Sequence, residues 1–180
     1  MSRKIILYIA TSLDGYIAEE DGAIDFLTAE SSPEVGEFDS YTQLLERIDT
    51  VVLGRTTYDQ LVNELMPDQY PYEEQKSYII THHPIEGTDQ LIFTDERPEQ
   101  LIQRLKSEEG KDIWIIGGGQ IIAPLIANNL IDEYVITTVP ILLGQGISLF
   151  HEMDAAVQLA VVDTTIENGL ITSVYSRVSE

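Results

Sequence analysis

Runs of apolar residues with the length of β-strands recur along the chain. Several of them contain no polar alternation, and continuous runs of that kind are typical of central strands buried on both faces of a sheet. The pattern therefore predicts strands over residues 5–10, 50–53, 77–81, 91–93, 113–116 and 134–139.

Three segments between these strands carry apolar residues at intervals of three and four, the spacing of a helix with one buried stripe. The first covers residues 38–48, the second runs from Pro98 to a stop at Gly110, and the third covers residues 120–128. Proline in the first turn and glycine after the last one are the usual start and stop signals. Helices that alternate with buried strands predict an α/β sheet covered on both faces.

The C-terminal segment has a different pattern. Residues 156–165 and 170–178 are rich in β-formers and flank Asn168-Gly169, and Asn-Gly is the strongest short signal for a hairpin. We therefore expect the sheet to end in an antiparallel hairpin. Because no repeat and no linker rich in Pro, Gly or Ser divides the chain, we expect residues 1–180 to form one domain.

Composition excludes several classes of protein. The chain has 180 residues, and its 10 Lys and Arg against 31 Asp and Glu give a net charge of −21, which repels nucleic-acid phosphates. The lack of cysteine excludes disulfides and thiolate metal sites. No apolar run approaches the roughly 18 residues of a membrane span. We expect a cytoplasmic protein that binds neither nucleic acid nor a membrane.

The sharpest motif is IWIIGGGQ over residues 113–120, an apolar strand that leads through Gly117, Gly118 and Gly119 into a helix. Glycines at a strand end let another group approach the backbone, and the helix start presents free N–H groups and a positive dipole. The motif is suited to a diphosphate. The alternative is a tight turn that requires positive φ angles. The dinucleotide fingerprint G-x-G-x-x-G is not matched.

Two further strand ends carry polar residues. In VVLGRTTYD, threonine is expected to cap a helix, and Arg55 lies at the helix start, where the dipole disfavours a cation unless an anion is bound. In YIITHHP, His82 and His83 point to opposite sides of the chain, so we expect surface histidines and no metal site.

The loop SLDGYIA over residues 12–18 follows the first strand and has Asp14-Gly15 at its tip. Taken by itself it is a turn. The sequence contains no G-x-S-x-G or H-E-x-x-H motif, so no hydrolase constellation is predicted.

In this order and spacing, these motifs resemble the dihydrofolate reductase fold. The resemblance is closer to the branch formed by the C-terminal reductase domain of the riboflavin-synthesis deaminase-reductase. The branch is indicated by LIDE at residues 130–133 followed by PILLGQG at residues 140–146. The resemblance implies a three-layer α/β fold with a mostly parallel sheet of about eight strands.

The same resemblance implies a set of residues that bind NADPH. Gly54, Arg55, Thr56 and Thr57 would hold the diphosphate, and Thr81 and His82 would border the adenosine 2′-phosphate. Gly117, Gly118, Gly119, Gln120 and Ile121 would support the diphosphate and nicotinamide half, with Ala10 and Ile17 packed near the nicotinamide. Whether NADPH or NADH is preferred stays open.

More than one acidic residue is a candidate for the acid that faces the substrate. Asp14 matches an acidic position of the riboflavin-type branch, and we predict that it positions or protonates substrate. Folate reductases instead keep an acid on the first helix, for which Asp25, Glu37 and Asp39 are alternatives.

The resemblance implies an NADPH-dependent reductase of a small molecule such as 5-amino-6-(5-phosphoribosylamino)uracil. A dihydrofolate reductase and a non-catalytic NADP(H)-binding module are the alternatives. The apolar residues 121–130 and 131–143 further predict a homodimer, since they offer more apolar surface than one sheet face needs.

Overall fold

The computed structural model describes residues 2–27 and 39–178. Its strands are β1 (Ile5–Ser12), β2 (Tyr16–Ala18), β3 (Ile48–Gly54), β4 (Lys76–Ile80), β5 (Leu91–Thr94), β6 (Asp112–Gly117), β7 (Glu133–Val139), β8 (Ile147–Ser148), β9 (Leu159–Glu167) and β10 (Leu170–Arg177). Its helices are α1 (Asp39–Arg47), α2 (Arg55–Gln60), α3 (Pro98–Ser107) and α4 (Gly119–Ala127), with a 3₁₀ turn at Asp25–Leu27 and a π-helical segment, Leu61–Leu65, after α2.

Eight of the strands in the described residues form one sheet in the order β5-β4-β3-β6-β1-β7-β10-β9. Neighbouring strands from β5 to β7 are parallel, whereas β10 is antiparallel to both β7 and β9. The short strands β2 and β8 pair separately. The predicted α/β class, with a mostly parallel sheet and an antiparallel C-terminal end, is confirmed.

The central strands are buried on both faces, as their continuous apolar runs predict. On β1, Ile6 and Leu7 are both fully buried and belong to different core clusters. The cluster around Leu7 contains residues of α3 and α4, whereas the cluster around Ile6 contains Leu44 of α1 and packs against Tyr58 of α2. Helices therefore cover the sheet on both sides.

The hairpin between β9 and β10 forms where the sequence predicts it. Asn168 and Gly169 have φ angles of 51° and 78°, and two consecutive positive φ angles match the right-handed twist of the flanking strands. One boundary was predicted wrongly. Ile48 is the first residue of β3 and not the last residue of a helix, because its buried side chain packs in the sheet just after α1 ends at Arg47.

Most apolar residues of the segments that suggested a homodimer are buried within the chain, whereas Leu142 is 71% exposed. Ile122 and Leu125 of α4 are fully buried, as is Ile131, and β7 is central in the sheet. These residues therefore supply the core and do not supply the surplus apolar surface that the sequence suggested. Among the described residues, no helix is both long and apolar enough to span a bilayer.

Candidate active site

The two strand-to-helix turns that the sequence singled out lie side by side. β3 and β6 are parallel neighbours, with Leu53 opposite Gly117. A Cβ atom built on Gly54 would lie 3.2 Å from Cγ1 of Ile121, and one built on Gly118 would lie 3.4 Å from Oγ1 of Thr57. We call this place, formed by Gly54, Thr57, Gly117, Gly118 and Gly119, the glycine corner. It lies at the carboxyl ends of parallel strands, where ligands bind in open α/β sheets.

Gly117 and Gly118 of the glycine corner differ in their backbone conformations. Gly117 has a φ of +138°, which only glycine adopts readily. Gly118 is the N-cap of α4 with an ordinary φ of −85° and no side-chain cap. The suggestion that the turn needs positive φ is therefore correct for Gly117 alone.

Arg55 is the first residue of α2, and its surroundings differ from the expectation in two ways. The N-cap is Gly54, with no side-chain hydrogen bond, so neither Thr56 nor Thr57 caps the helix. The Arg55 Nε–H donates to Oδ1 of Asp59 at 2.8 Å, so a side chain of the protein already offsets the cost of a cation at the helix start. A bound anion is not required for that purpose.

The end of β4 lies beside this corner. Gly54 is opposite Ile80 in the register of β3 and β4, so Thr81 follows directly at the same edge. The Thr81 backbone N–H donates to the Thr94 carbonyl at 2.9 Å, and Thr81 Oγ1 accepts from the His83 N–H at 3.2 Å. His82 is exposed next to them. The structure thus brings Thr81 and His82 to the strand ends that carry Arg55.

Ala10, Ile17 and Gln120 lie at the same end of the sheet. Ala10 is near the carboxyl end of β1, which pairs with β6 on one side. Ile17 is the middle residue of β2, whose partner β8 contacts Gly119 through Ser148. Gln120 is exposed in the first turn of α4.

Asp14 is engaged by hydrogen bonds on both carboxylate oxygens. Oδ1 accepts from the Ser12 hydroxyl at 2.6 Å and from the Leu143 N–H at 3.0 Å, and Oδ2 accepts from the Gly144 N–H at 2.8 Å. The Ser12 hydroxyl, together with these backbone donors, lowers the pKa of Asp14 to about 2. The carboxylate is therefore ionised near neutral pH and is not a proton donor there. A positioning role in catalysis stays a prediction.

The other acidic candidates are less informative. Asp25 is exposed and begins the short 3₁₀ turn. Asp39 is the first residue of α1, and Glu37 lies outside the described residues. The structure therefore does not single out any of the three.

Sequence reasoning missed two parts of the site. The imidazole of His151 lies against the start of α4, because its Nε2 is 3.4 Å from the position of a Cβ on Gly119. The small sheet of β2 and β8 was also missed, since strands of three and two residues give no periodic signal. Both contribute a wall beside Gly119.

Two cavities are lined by residues other than those of the glycine corner, and His151, which lies beside Gly119, lines the first of them. One of about 230 Å³ is between α4 and residues 150–153, and one of about 480 Å³ is between α1 and residues 69–75. Neither is lined by a residue of the corner, where Thr57 and Gly118 are half-buried near the surface. The glycine corner is therefore identified by its chemistry and not by an enclosed volume.

The architecture is that of the dihydrofolate reductases. Dihydrofolate reductase from Enterococcus faecalis, solved with NADP(H), superposes with a TM-score of 0.65 at 17% identity over 99% of this chain and 100% of that one. The deaminase and 5-amino-6-(5-phosphoribosylamino)uracil reductase from Thermotoga maritima gives 0.68 at 14% identity over 98% of this chain and 57% of that one. At such identities the likeness shows the fold alone.

The chain belongs to the RibD C-terminal domain family, whose sequence pattern matches residues 3–170. Uncharacterized protein YwjB of Bacillus subtilis (strain 168) is 39% identical over 166 residues, which are 91% of this chain and 92% of YwjB. A "Putative riboflavin biosynthesis protein" from Shewanella sp. PV-4 has a TM-score of 0.84 at 32% identity over 99% of this chain and 100% of that one. The predicted resemblance to riboflavin-pathway reductases is confirmed at the level of the family.

Proposed function

We propose that the protein is an NADPH-dependent reductase that acts on a small heterocyclic substrate. The observation that carries this proposal is the convergence of two glycine-bearing strand ends, Gly54 of β3 and Gly117 of β6, beside the uncapped start of α4. Membership of a family of riboflavin-pathway reductases supports it. The substrate class that the family suggests is 5-amino-6-(5-phosphoribosylamino)uracil.

The residues at the corner fit a dinucleotide. A Cβ atom built on Gly118 would lie 3.4 Å from Thr57 Oγ1. Because glycine has no Cβ, the space beside this backbone is open to a phosphate. Thr57 supplies a hydroxyl there, and the first N–H groups of α4 face the same end. Arg55 begins helix α2, and its guanidinium carbon lies 5.6 Å from the ring centroid of Phe93 on β5. In this proposal the helix start, the hydroxyl and the guanidinium each bind an anionic group of the ligand.

The chemistry that NADPH would supply when bound is a hydride for a carbon of the substrate, and a proton would complete the reduction at the neighbouring heteroatom. The residues of the chain would hold the two reactants in line. Asp14 does not supply the proton near neutral pH, because its pKa is about 2. In this proposal Asp14 orders the site, and the proton comes from another group or from water.

The proposal is tested by ligand-induced stabilisation followed by turnover. A ligand at a hundred times its dissociation constant raises the free energy of unfolding by about 2.7 kcal/mol, which is a clear rise in Tm. We expect that rise with NADPH, a smaller one or none with inorganic pyrophosphate, and NADPH oxidation with the aminouracil. No shift with millimolar NADPH or NADH would contradict the reductase assignment.

The same experiment separates the two alternatives. Oxidation of NADPH with dihydrofolate and not with the aminouracil would identify a folate reductase. A thermal shift without turnover on either substrate would identify a nucleotide-binding module.

We also propose that the protein is a homodimer that associates through the C-terminal end of the sheet. Ile166 and Ile171 are paired across β9 and β10 and are 76% and 43% exposed, and Val161 is 67% exposed. The register gives these three side chains one common face. Exposed apolar side chains beside an edge strand favour association with a second copy about a two-fold axis.

A further inference from the structure

The Asp14 carboxylate links two loops that are far apart in sequence. Its three hydrogen bonds come from Ser12 in its own loop and from the backbone N–H groups of Leu143 and Gly144. Residues 140–146 form an exposed connection between β7 and β8, which we call the 140–146 loop. Hydrogen bonds to an ionised acceptor are the stronger kind, so this single side chain is well suited to hold the 140–146 loop in place.

Backbone contacts continue the link on both sides of Asp14. The Leu13 N–H donates to the Ile141 carbonyl, and the Leu149 N–H donates to the Gly15 carbonyl, both at 2.9 Å. Beyond them β2 pairs with β8. Hydrogen bonds therefore join the loop after β1 to the chain from Ile141 to Leu149 along its length. Asp14 accepts from two N–H groups of that chain for which the backbone of β2 offers no partner.

Strand β8, at the far end of this hydrogen-bonded segment, lies against the glycine corner. A Cβ on Gly119 would lie 3.4 Å from the carbonyl oxygen of Ser148 and 3.8 Å from Cγ2 of Ile147. These two residues are the whole of β8. The position of β8 against the start of α4 therefore depends on how firmly the 140–146 loop is held.

We infer that Asp14 is a positioning residue that fixes the 140–146 loop and, through β8, sets the wall of the glycine corner. The part of this inference that concerns a nucleotide rests on the proposed function, whereas the part that concerns the loop does not. The role requires a carboxylate. An asparagine in the same place would offer one acceptor oxygen and would set an NH₂ group against the N–H of Leu143 or Gly144.

The loop part is tested in the protein without ligand by amide hydrogen exchange. In Asp14→Asn we expect exchange at Leu143, Gly144 and Ile147 to be at least about tenfold faster than in the wild type, since charge-assisted bonds are lost. Asp21→Asn is the matched control, because Asp21 is also exposed and its Oδ1 accepts only the local Ala23 N–H among the hydrogen bonds of the described residues. Unchanged exchange in Asp14→Asn would overturn the inference.

The link to the corner is tested by nucleotide affinity and kinetics. We expect Asp14→Asn to raise the dissociation constant for NADPH about tenfold and to keep most of kcat at saturating NADPH, while Asp21→Asn changes neither.

Faster exchange with unchanged affinity would overturn the role of β8. Loss of kcat with unchanged exchange and affinity would instead show that Asp14 acts on the substrate. If the wild type bound no nicotinamide nucleotide, the proposed function would fail, and hydrogen exchange would still decide the role of Asp14 in the loop.

Asp14→Glu provides a second variant that keeps the negative charge. It moves the carboxylate by one methylene, so the two N–H groups and the Ser12 hydroxyl cannot all be reached in the same geometry. We expect it to accelerate exchange at Leu143 and Gly144 as Asp14→Asn does. Wild-type exchange in Asp14→Glu together with fast exchange in Asp14→Asn would show that charge alone holds the loop, which would overturn the geometric argument.

Discussion

The Arg55 side chain is bound to Asp59 one turn further along α2, with 2.8 Å between Nε and Oδ1. Its guanidinium carbon also lies 5.6 Å from the ring centroid of Phe93. Both contacts hold the side chain in one orientation. Among the described residues neither Nη group has a hydrogen-bond partner, so the outer edge of the guanidinium remains available for an anion.

This orientation predicts the effect of removing Arg55. We expect Arg55→Ala to weaken NADPH binding by about 1.5–3 kcal/mol, the range for hydrogen bonds to charged groups. Titration calorimetry measures the loss. Arg97→Ala is the matched control, because the Arg97 side chain is 72% exposed and is also paired with a carboxylate, that of Glu99. An equal loss in both variants would show a general effect of charge and not a contact with the ligand.

Gly117 and Gly118 are expected to respond differently to the same substitution. Gly117→Ala is expected to lower the free energy of unfolding by about 1 kcal/mol or more, because φ is +138° there. Gly118→Ala is expected to keep the stability of the wild type, since its φ is −85°, and to lose the thermal shift with NADPH. Chemical denaturation and thermal shift measure the two effects. A normal NADPH shift in Gly118→Ala would contradict the placement of phosphate at this corner.

The sequence predicted the sheet well because its signal is local. Three consecutive fully buried residues, Val51 to Leu53, need no knowledge of the tertiary structure to be identified as a central strand. The hairpin at Asn168-Gly169 was equally local. Ile48 was assigned wrongly because its spacing from Leu44 fits a helix, while its burial in the sheet is a tertiary effect.

The site was predictable only in part, for the same reason. The glycine motifs predicted a phosphate site, which stays a prediction, and Asp59 as the partner of Arg55 was not singled out from 31 acids. The donors to Asp14 come from Leu143 and Gly144, 129 and 130 residues further along the chain. The periodicity of a sequence gives no information on contacts between residues so far apart. The motif at residues 12–18 was therefore interpreted only as a turn.

Acid is expected to open the 140–146 loop through Asp14. The Ser12 hydroxyl and the backbone donors lower its pKa to about 2 in the folded protein, below about 3.9 for an unperturbed Asp. The stabilisation from this carboxylate is therefore complete above about pH 4 and is lost as the pH falls toward about 2. Pepsin cleavage within the loop measures the opening, with Trp114 fluorescence as the report of global unfolding.

Asp14→Asn supplies the comparison for the acid experiment. Its loop is expected to be open at every pH in this range, so cleavage should show no rise between about pH 4 and 2 beyond that of global unfolding. A similar acid-dependent rise in the variant would assign the effect to other carboxylates.

Arg3 is expected to contribute strongly to stability. Its side chain is 4% exposed, and Nη2 contacts Asp49 at 2.5 Å and Thr50 at 2.6 Å. Arg3→Ala also leaves the carbonyls of Lys111 and Leu105 without their donor and is expected to lower the free energy of unfolding by about 2 kcal/mol. Urea denaturation measures the loss, and Lys4→Ala, at an exposed neighbour, is expected to change it by less than about 0.5 kcal/mol. A small effect of Arg3→Ala would show that water replaces the ion pair.

Association through the C-terminal end of the sheet is expected to depend on one face of β9. Ile166→Lys places a charge among the exposed apolar side chains that it shares with Ile171, and we expect sedimentation to show a monomer. Thr165→Lys is the matched control, because the next residue of a strand points to the opposite face. With a net charge of −21 on each copy, added salt should screen the repulsion and favour the wild-type dimer. A wild-type protein that stays monomeric at micromolar concentration and high salt would refute the homodimer.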